Sequence, residues 1–207
     1  MSLESQSEDS RTQRLNDPTS IRALAHPIRV DLYALIGREG PLTAAEAARR
    51  LGISQALASH HIRQLAKHRF VTSAPGKDNR ERPWRVVSTS MTWRGADRSQ
   101  EGATAADLLE QVFIEAAVNR YIEWQQIRGT AEPKWRETAG TRFNFVYLTH
   151  EELERIVRGI DAIIEPYIDA RPMDDPTNRP EGSVPVDLTY LVSIVPSPAE
   201  GDELGTV

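Results

Sequence analysis

The chain has 207 residues, 39% of them hydrophobic, enough to build a real core as one domain or two small ones. It contains no cysteine, which excludes disulfides, thiolate metal sites and cysteine-based redox sensing, and no apolar run approaches the roughly 18 residues of a membrane span. The formal net charge is −5, mildly acidic and very unevenly distributed.

In chain order, MSLESQSEDSRTQRLND is polar and acidic, without the apolar stretch of a signal peptide, so residues 1–16 are expected as a disordered tail. Asp17-Pro18 pairs a capping residue with proline at the first helical position. Ile21, Leu24 and Ala25 continue an apolar face, and His26-Pro27 restarts a helix carrying Ile28, Leu32, Leu35 and Ile36 as far as Gly37–Gly40.

TAAEAARRLGISQALASHHIRQL, residues 43–65, is the most informative stretch. Thr43 and Glu46 form a capping box, and a run of alanines gives a slim helix for close packing. Gly52 stands where a left-handed residue ends that helix. Ser54 caps the next helix, 54–67, whose Ala58, Ile62 and Leu65 share one face. The opposite face presents Gln55, Ser59, His60 and Arg63, side chains able to bond base edges and phosphates. This pattern predicts a helix-turn-helix with 54–67 as its recognition helix. A helix pair of this kind also occurs in ordinary bundles, where the polar face is merely solvated.

The residues beyond Leu65 separate the two. Two short apolar runs flank PGKDNRERP, so residues 72–85 are expected to form a hairpin with a basic tip, a wing placed beside the recognition helix. The candidate DNA-contacting residues are Thr43, Ser54, Gln55, Ser59, His60, Arg63, Lys67, Lys77, Arg80, Arg82 and Arg85. His61 lies next to the inward positions and is expected to pack rather than contact a ligand. Charge divides accordingly: residues 17–94 hold 13 Lys and Arg against 6 acids, a net of +7, leaving −12 for the remainder of a chain at −5. Local phosphate neutralisation drives DNA affinity, so an acidic total is no objection.

ALAHPIRVDLYALI (23–36), GPLTAAEAARRLGISQALASHHIRQLAKHRFV (40–71) and ERPWRVV (81–87) together resemble the ArsR-type winged-helix transcription regulators over about the first 90 residues. The resemblance implies a winged helix-turn-helix over 17–90 and places Ser54, Gln55, Ser59 and His60 on the groove face. It also brings a precedent of metal sensing, but the usual cysteine motif is missing, and residues 105–128 contain no histidine for a terminal-helix site.

Residues 91–104 are expected as a polar connector, and Ala105–Arg128 as a long amphipathic helix. Its stripe includes Leu108, Leu109, Val112, Phe113, Ala116, Tyr121 and Trp124, the candidate homodimer interface, with intrachain core as the alternative. Beyond it, TRFNFVYL (141–148) and VDLTYLVSIV (186–195) alternate like strands and are expected to pair. Between them Thr149 and Glu152 make a second capping box, opening a helix with an apolar stripe from Leu153 to Tyr167. Residues 105–196 are thus expected as a dimerisation domain and a candidate effector domain, and 197–207 as a disordered acidic tail. Its aromatic residues could line a small-molecule cavity or fill a core. His150 and Glu154 have a ligand spacing, but acids at a helix N-terminus are commonly there for the dipole.

No phosphate-cradling glycine loop or nucleophile elbow occurs, so no enzymatic activity, metal or other cofactor is expected. The fold class expected is mainly α with a little β: an N-terminal winged helix-turn-helix, a long dimerisation helix and a small α+β C-terminal unit. The function expected is a cytoplasmic, homodimeric, sequence-specific regulator that binds double-stranded DNA. The alternative is a winged-helix protein-interaction module that does not read sequence.

Overall fold

A computed structural model of the chain describes residues 12–75, 82–88, 90–93, 99–171 and 176–195. Helix α1 spans Pro18–Leu24, with Asp17 accepting from the backbone N–H groups of Thr19 and Ser20 and Pro18 in the first turn. Helix α2 covers Pro27–Glu39. Helices α3 (Ala44–Leu51) and α4 (Gln55–Lys67) come next, and the hairpin strands are β2 (Val71–Ser73) and β3 (Trp84–Val86). β2 and β3 pair antiparallel with Val71 opposite Val86, and Leu42 bridges Trp84 on the other side of β3.

The core of this head is formed by α1, α2, α3, α4, the wing and the first half of the long helix α5 (Gln100–Ile127). Ile21, Leu24, Leu32, Ile36, Ile62, Leu65, Phe70 and Leu109 are all fully buried. Burying so many large side chains, each worth roughly 1.5–3 kcal/mol, is what holds helices this short together. Tyr33 meets Phe70 edge-on, with ring centroids 6.3 Å apart, and its hydroxyl donates to the Ser88 carbonyl.

The head begins earlier and ends later than the sequence suggests. Thr12–Arg14 is a strand, β1, paired in parallel with β4 (Ser90–Thr92), and Leu15 is buried. Residues 12–16 are therefore part of the fold, not of a tail; the three-residue strand is too short to carry periodicity. The expected connector likewise holds β4 and the opening of α5, which starts at Gln100 with Ser99 accepting from Gly102 N–H at 3.1 Å. Trp93 stacks on Phe113, centroids 5.4 Å apart and planes inclined by 16°, fastening this segment to α5.

After α5 come a short 3-10 turn (Arg128–Thr130), α6 (Pro133–Thr138) and α7 (His150–Ala170), whose Thr149–Glu152 capping box is formed as expected. The mainly helical class with an N-terminal winged helix-turn-helix and a long helix is thus what the chain adopts. The two expected strands are not formed: 141–148 and 186–195 lie outside any helix or sheet, and no backbone hydrogen bond among the described residues joins them. No helix among the described residues is long and apolar enough to cross a membrane.

Candidate nucleic-acid interface

The helix-turn-helix is locally determined at each of its corners. The Thr43 hydroxyl accepts from Glu46 N–H at 3.2 Å, while Thr43 N–H donates to the Glu46 carboxylate at 2.8 Å. These bonds hold the Glu46 carboxyl below the usual carboxylate range. Gly52 has φ +65°, the left-handed geometry that glycine adopts without steric penalty, and Ile53 N–H reaches back to the Ala48 carbonyl. Ser54 Oγ then accepts from Leu57 N–H at 3.2 Å and starts α4.

The far end of α4 is less conventional. Arg69 adopts φ 60°, Phe70 N–H bonds the Leu65 carbonyl and Arg69 N–H bonds that of Ala66. This is the double-bonded left-handed helix stop usually built on glycine, here built on arginine. It turns the chain sharply enough to bury Phe70 and launch β2 directly, fixing the wing to α4.

Along α4, Ala58, His61, Ile62 and Leu65 are buried, while Gln55, His60, Arg63 and Lys67 are exposed and Ser59 is half-buried. Arg63 Nε donates to the Ser59 carbonyl at 3.1 Å, laying the guanidinium stem along the preceding turn. Arg82 is exposed before β3, and Arg85 is exposed on β3 opposite Thr72. The structure therefore gathers Gln55, Ser59, His60, Arg63 and Lys67 on one helix and brings Arg82 and Arg85 to the adjoining hairpin. Thr43 is placed differently: its hydroxyl is engaged by Glu46 on both its donor and acceptor sides, so it serves the helix start. Ser54 is exposed but likewise spends an acceptor on its cap. Lys77 and Arg80 lie outside the described residues. Arg49 and Arg69, both exposed, add positive charge to the head; counting charge over the segment could have flagged them, but neither belongs to the recognition-helix pattern.

His61 is buried as expected, and its ring lies 4.7 Å from that of His26, at the start of α2, with His60 5.2 Å away on the outer side. The Nδ1 atoms of His26 and His61 are buried without a hydrogen-bond partner, next to the half-buried Arg29. Desolvation first, then the neighbouring positive charges, pulls both imidazoles below the ordinary 6.5. The unfolded chain therefore binds more protons in the window beneath 6.5, and stability contributed by neutral His26 and His61 is present above 6.5 and lost as pH falls through their folded values. The urea midpoint is expected to drop between pH 7.5 and 5.5, and less so in a His26→Gln/His61→Gln double variant. Asp17 and Glu46, both held low, titrate beneath that window. An unchanged midpoint across it would remove the pair from the stability account. No group of three or more His, Asp or Glu among the described residues is arranged to hold a metal ion.

The long helix divides its apolar stripe between two uses. Leu109, Val112 and Ala116 are buried against the head, and Phe113 is packed on it through Trp93. Those four candidate dimer residues belong to the intrachain core, because α1 and α2 already cover that side of α5. Leu108 is 44% exposed, and Tyr121 and Trp124 are half-buried; further along, Val118, Ile122 and Ile127 stand open.

Comparison with known proteins agrees with the geometry of the head. Residues 24–74, from the end of α1 through the start of the wing, match the family model described as "Helix-turn-helix domain". Curated proteins yield no match. Among solved structures the chain is similar to the transcriptional regulator Tm0710 from Thermotoga maritima, at 13% identity over 73% of this chain and 88% of that one, TM-score 0.30. It is also similar to RV1404 from Mycobacterium tuberculosis (14% identity, 72% and 83% covered, TM-score 0.29). A third is the heme sensor protein PefR from Streptococcus agalactiae in complex with heme (16% identity, 70% and 76% covered, TM-score 0.29). Likenesses of that size carry no weight beside the domain match and the local geometry, and residues 24–74 are similar to helix-turn-helix domains on both of those grounds.

Proposed function

We propose that the chain is a sequence-specific DNA-binding transcription regulator of the ArsR type, acting in the cytoplasm as a homodimer. Helix α4 enters the major groove, and the wing over 72–85 lies on the neighbouring backbone. The observation that carries this is the division of α4: a fully buried Ala58–Ile62–Leu65 side anchors it, and the exposed Gln55, His60, Arg63 and Lys67 form a polar and basic outer side. Exposed Arg82 and Arg85 continue that surface onto the hairpin. Phosphate contacts fix register and base contacts carry the sequence information, so α4 and the wing have separable roles.

Fluorescence anisotropy with a random duplex at two salt concentrations tests the reading. Affinity should fall steeply with salt, since each neutralised phosphate releases counterions. Arg82→Ala is expected to weaken cognate and random duplex alike and to lower the salt slope by about one. Negligible, salt-insensitive affinity for the wild type would favour a protein-interaction module instead. The wide apolar surfaces of the C-terminal half leave room for a small-molecule effector.

A further inference from the structure

The contact between the start of α2 and α4 gathers basic groups and no acid. His61, on α4, is 6% exposed, and its ring lies 4.7 Å from that of His26, the residue that opens α2. Neither Nδ1 has a hydrogen-bond partner. Within the first turn of α2, Arg29 is half-buried; its Nη2 donates to the Arg22 carbonyl at 3.4 Å, and its buried Nε is also unpartnered. No carboxylate among the described residues pairs with Arg29.

The other elements packed here supply no counter-charge. On α1, Arg22 is bound to Glu101 of α5 at 2.6 Å. On α2, Asp31 faces α5, where Arg120 and Glu123 act on it, and Glu39 pairs with Arg50 of α3 at 2.8 Å. Glu46 of α3 is spent on its capping box, Arg49 is exposed, and β2 carries no charged residue. On α4 itself, His60 stands 5.2 Å from His61 on the outer side, and Arg63 and Lys67 are exposed. Burial, and then the charge of neighbours that include Arg29, holds both inner imidazoles below the ordinary 6.5, so the pair is neutral near pH 7.

The contact also stands at a sensitive place. Ahead of His61, Ala58 is the one buried residue of α4, while Gln55, Ala56, Leu57 and His60 are exposed. His61 is thus the first large side chain to seat this helix, and the turns before it carry Gln55, Ser59 and His60. Helix α2 is held more firmly, by the buried Val30, Leu32, Leu35 and Ile36.

We propose that this contact is an acid-operated release: protonation of His26 and His61 sets imidazolium ions against Arg29 with no carboxylate between them, the first turns of α4 lift from α2, and DNA is let go. The DNA half of this inference rests on the function proposed above; the movement of α4 does not. Its sign is distinctive. Charging an exposed histidine beside phosphates strengthens DNA binding, so a surface effect at His60 would raise affinity in acid rather than lower it.

Hydrogen exchange on the full chain and fluorescence anisotropy with a random duplex, both at pH 7.5 and 5.5 and one ionic strength, test it. With the intrinsic pH dependence of exchange divided out, protection of the 58–62 amides should fall about tenfold or more in acid. Each released imidazole contributes up to about tenfold one unit below its ordinary value. Protection of 32–37 in α2 should hold, and duplex affinity should fall over the same interval. His26→Gln/His61→Gln should abolish both changes, and Arg29→Gln, which keeps the imidazoles, should move both to lower pH. Unchanged protection of 58–62 in the wild type would overturn the inference. So would an equal loss in α2, which would mean that acid unfolds the whole head, or a double variant that responds to acid as the wild type does. Affinity that rises in acid while 58–62 open would overturn the link to DNA. A wild type without duplex affinity at pH 7.5 would count against the DNA-binding proposal alone, because the exchange measurement stands without DNA.

Discussion

Replacing Phe70 with alanine is expected to destabilise the head by about 3–5 kcal/mol, the range for deleting a fully buried aromatic ring. Phe70 is 0% exposed, meets Tyr33 edge-on, and its carbonyl accepts from Val87 N–H at 2.9 Å. It is also the residue whose N–H closes the left-handed stop of α4 on the Leu65 carbonyl. Removing the ring opens a cavity where α4, α2 and the wing meet. A loss of that size is a large share of the roughly 5–15 kcal/mol that stabilises a typical domain. Urea unfolding followed by far-ultraviolet circular dichroism measures it. Phe70→Leu, which keeps most of the volume, should cost far less. A Phe70→Ala midpoint within error of the wild type would show that the ring is not central to the core.

Gln55→Ala and Arg63→Ala are each expected to lose about 1–3 kcal/mol at a cognate site obtained by selection from random duplexes, with much smaller losses on random DNA. Both side chains are exposed on α4, and neither contributes to the buried face, so stability should be unchanged. That separates them from Phe70→Ala, which lowers affinity only by unfolding the head. It also separates them from Arg82→Ala, whose effect is on the salt slope rather than on discrimination. Equal loss on cognate and random duplex would reassign Gln55 or Arg63 to backbone contact.

The head was legible in the sequence because its determinants are local. The Thr43–Glu46 capping box, left-handed Gly52, the Ser54 cap and the Ala58–Ile62–Leu65 spacing all form as their residue types require, and the inward position of His61 comes from the same periodicity. What the sequence could not supply depends on contacts between distant segments. The pairing of Thr12–Arg14 with Ser90–Thr92 is one such case, since a three-residue strand carries no pattern and is stabilised only by its partner. The stripe on α5 is another. Periodicity shows that Leu109, Val112 and Ala116 are apolar, but not that α1 and α2 cover them while Leu108, Val118 and Ile122 stay open. The alternation of 141–148 and 186–195 points to strands, yet neither segment enters a sheet, because a strand's hydrogen bonds, unlike a helix's, must be met from elsewhere. The sequence by itself thus determined the helix-turn-helix, where each bond is closed within a few residues. Only the tertiary structure decided which apolar faces are consumed within the chain and which stay exposed.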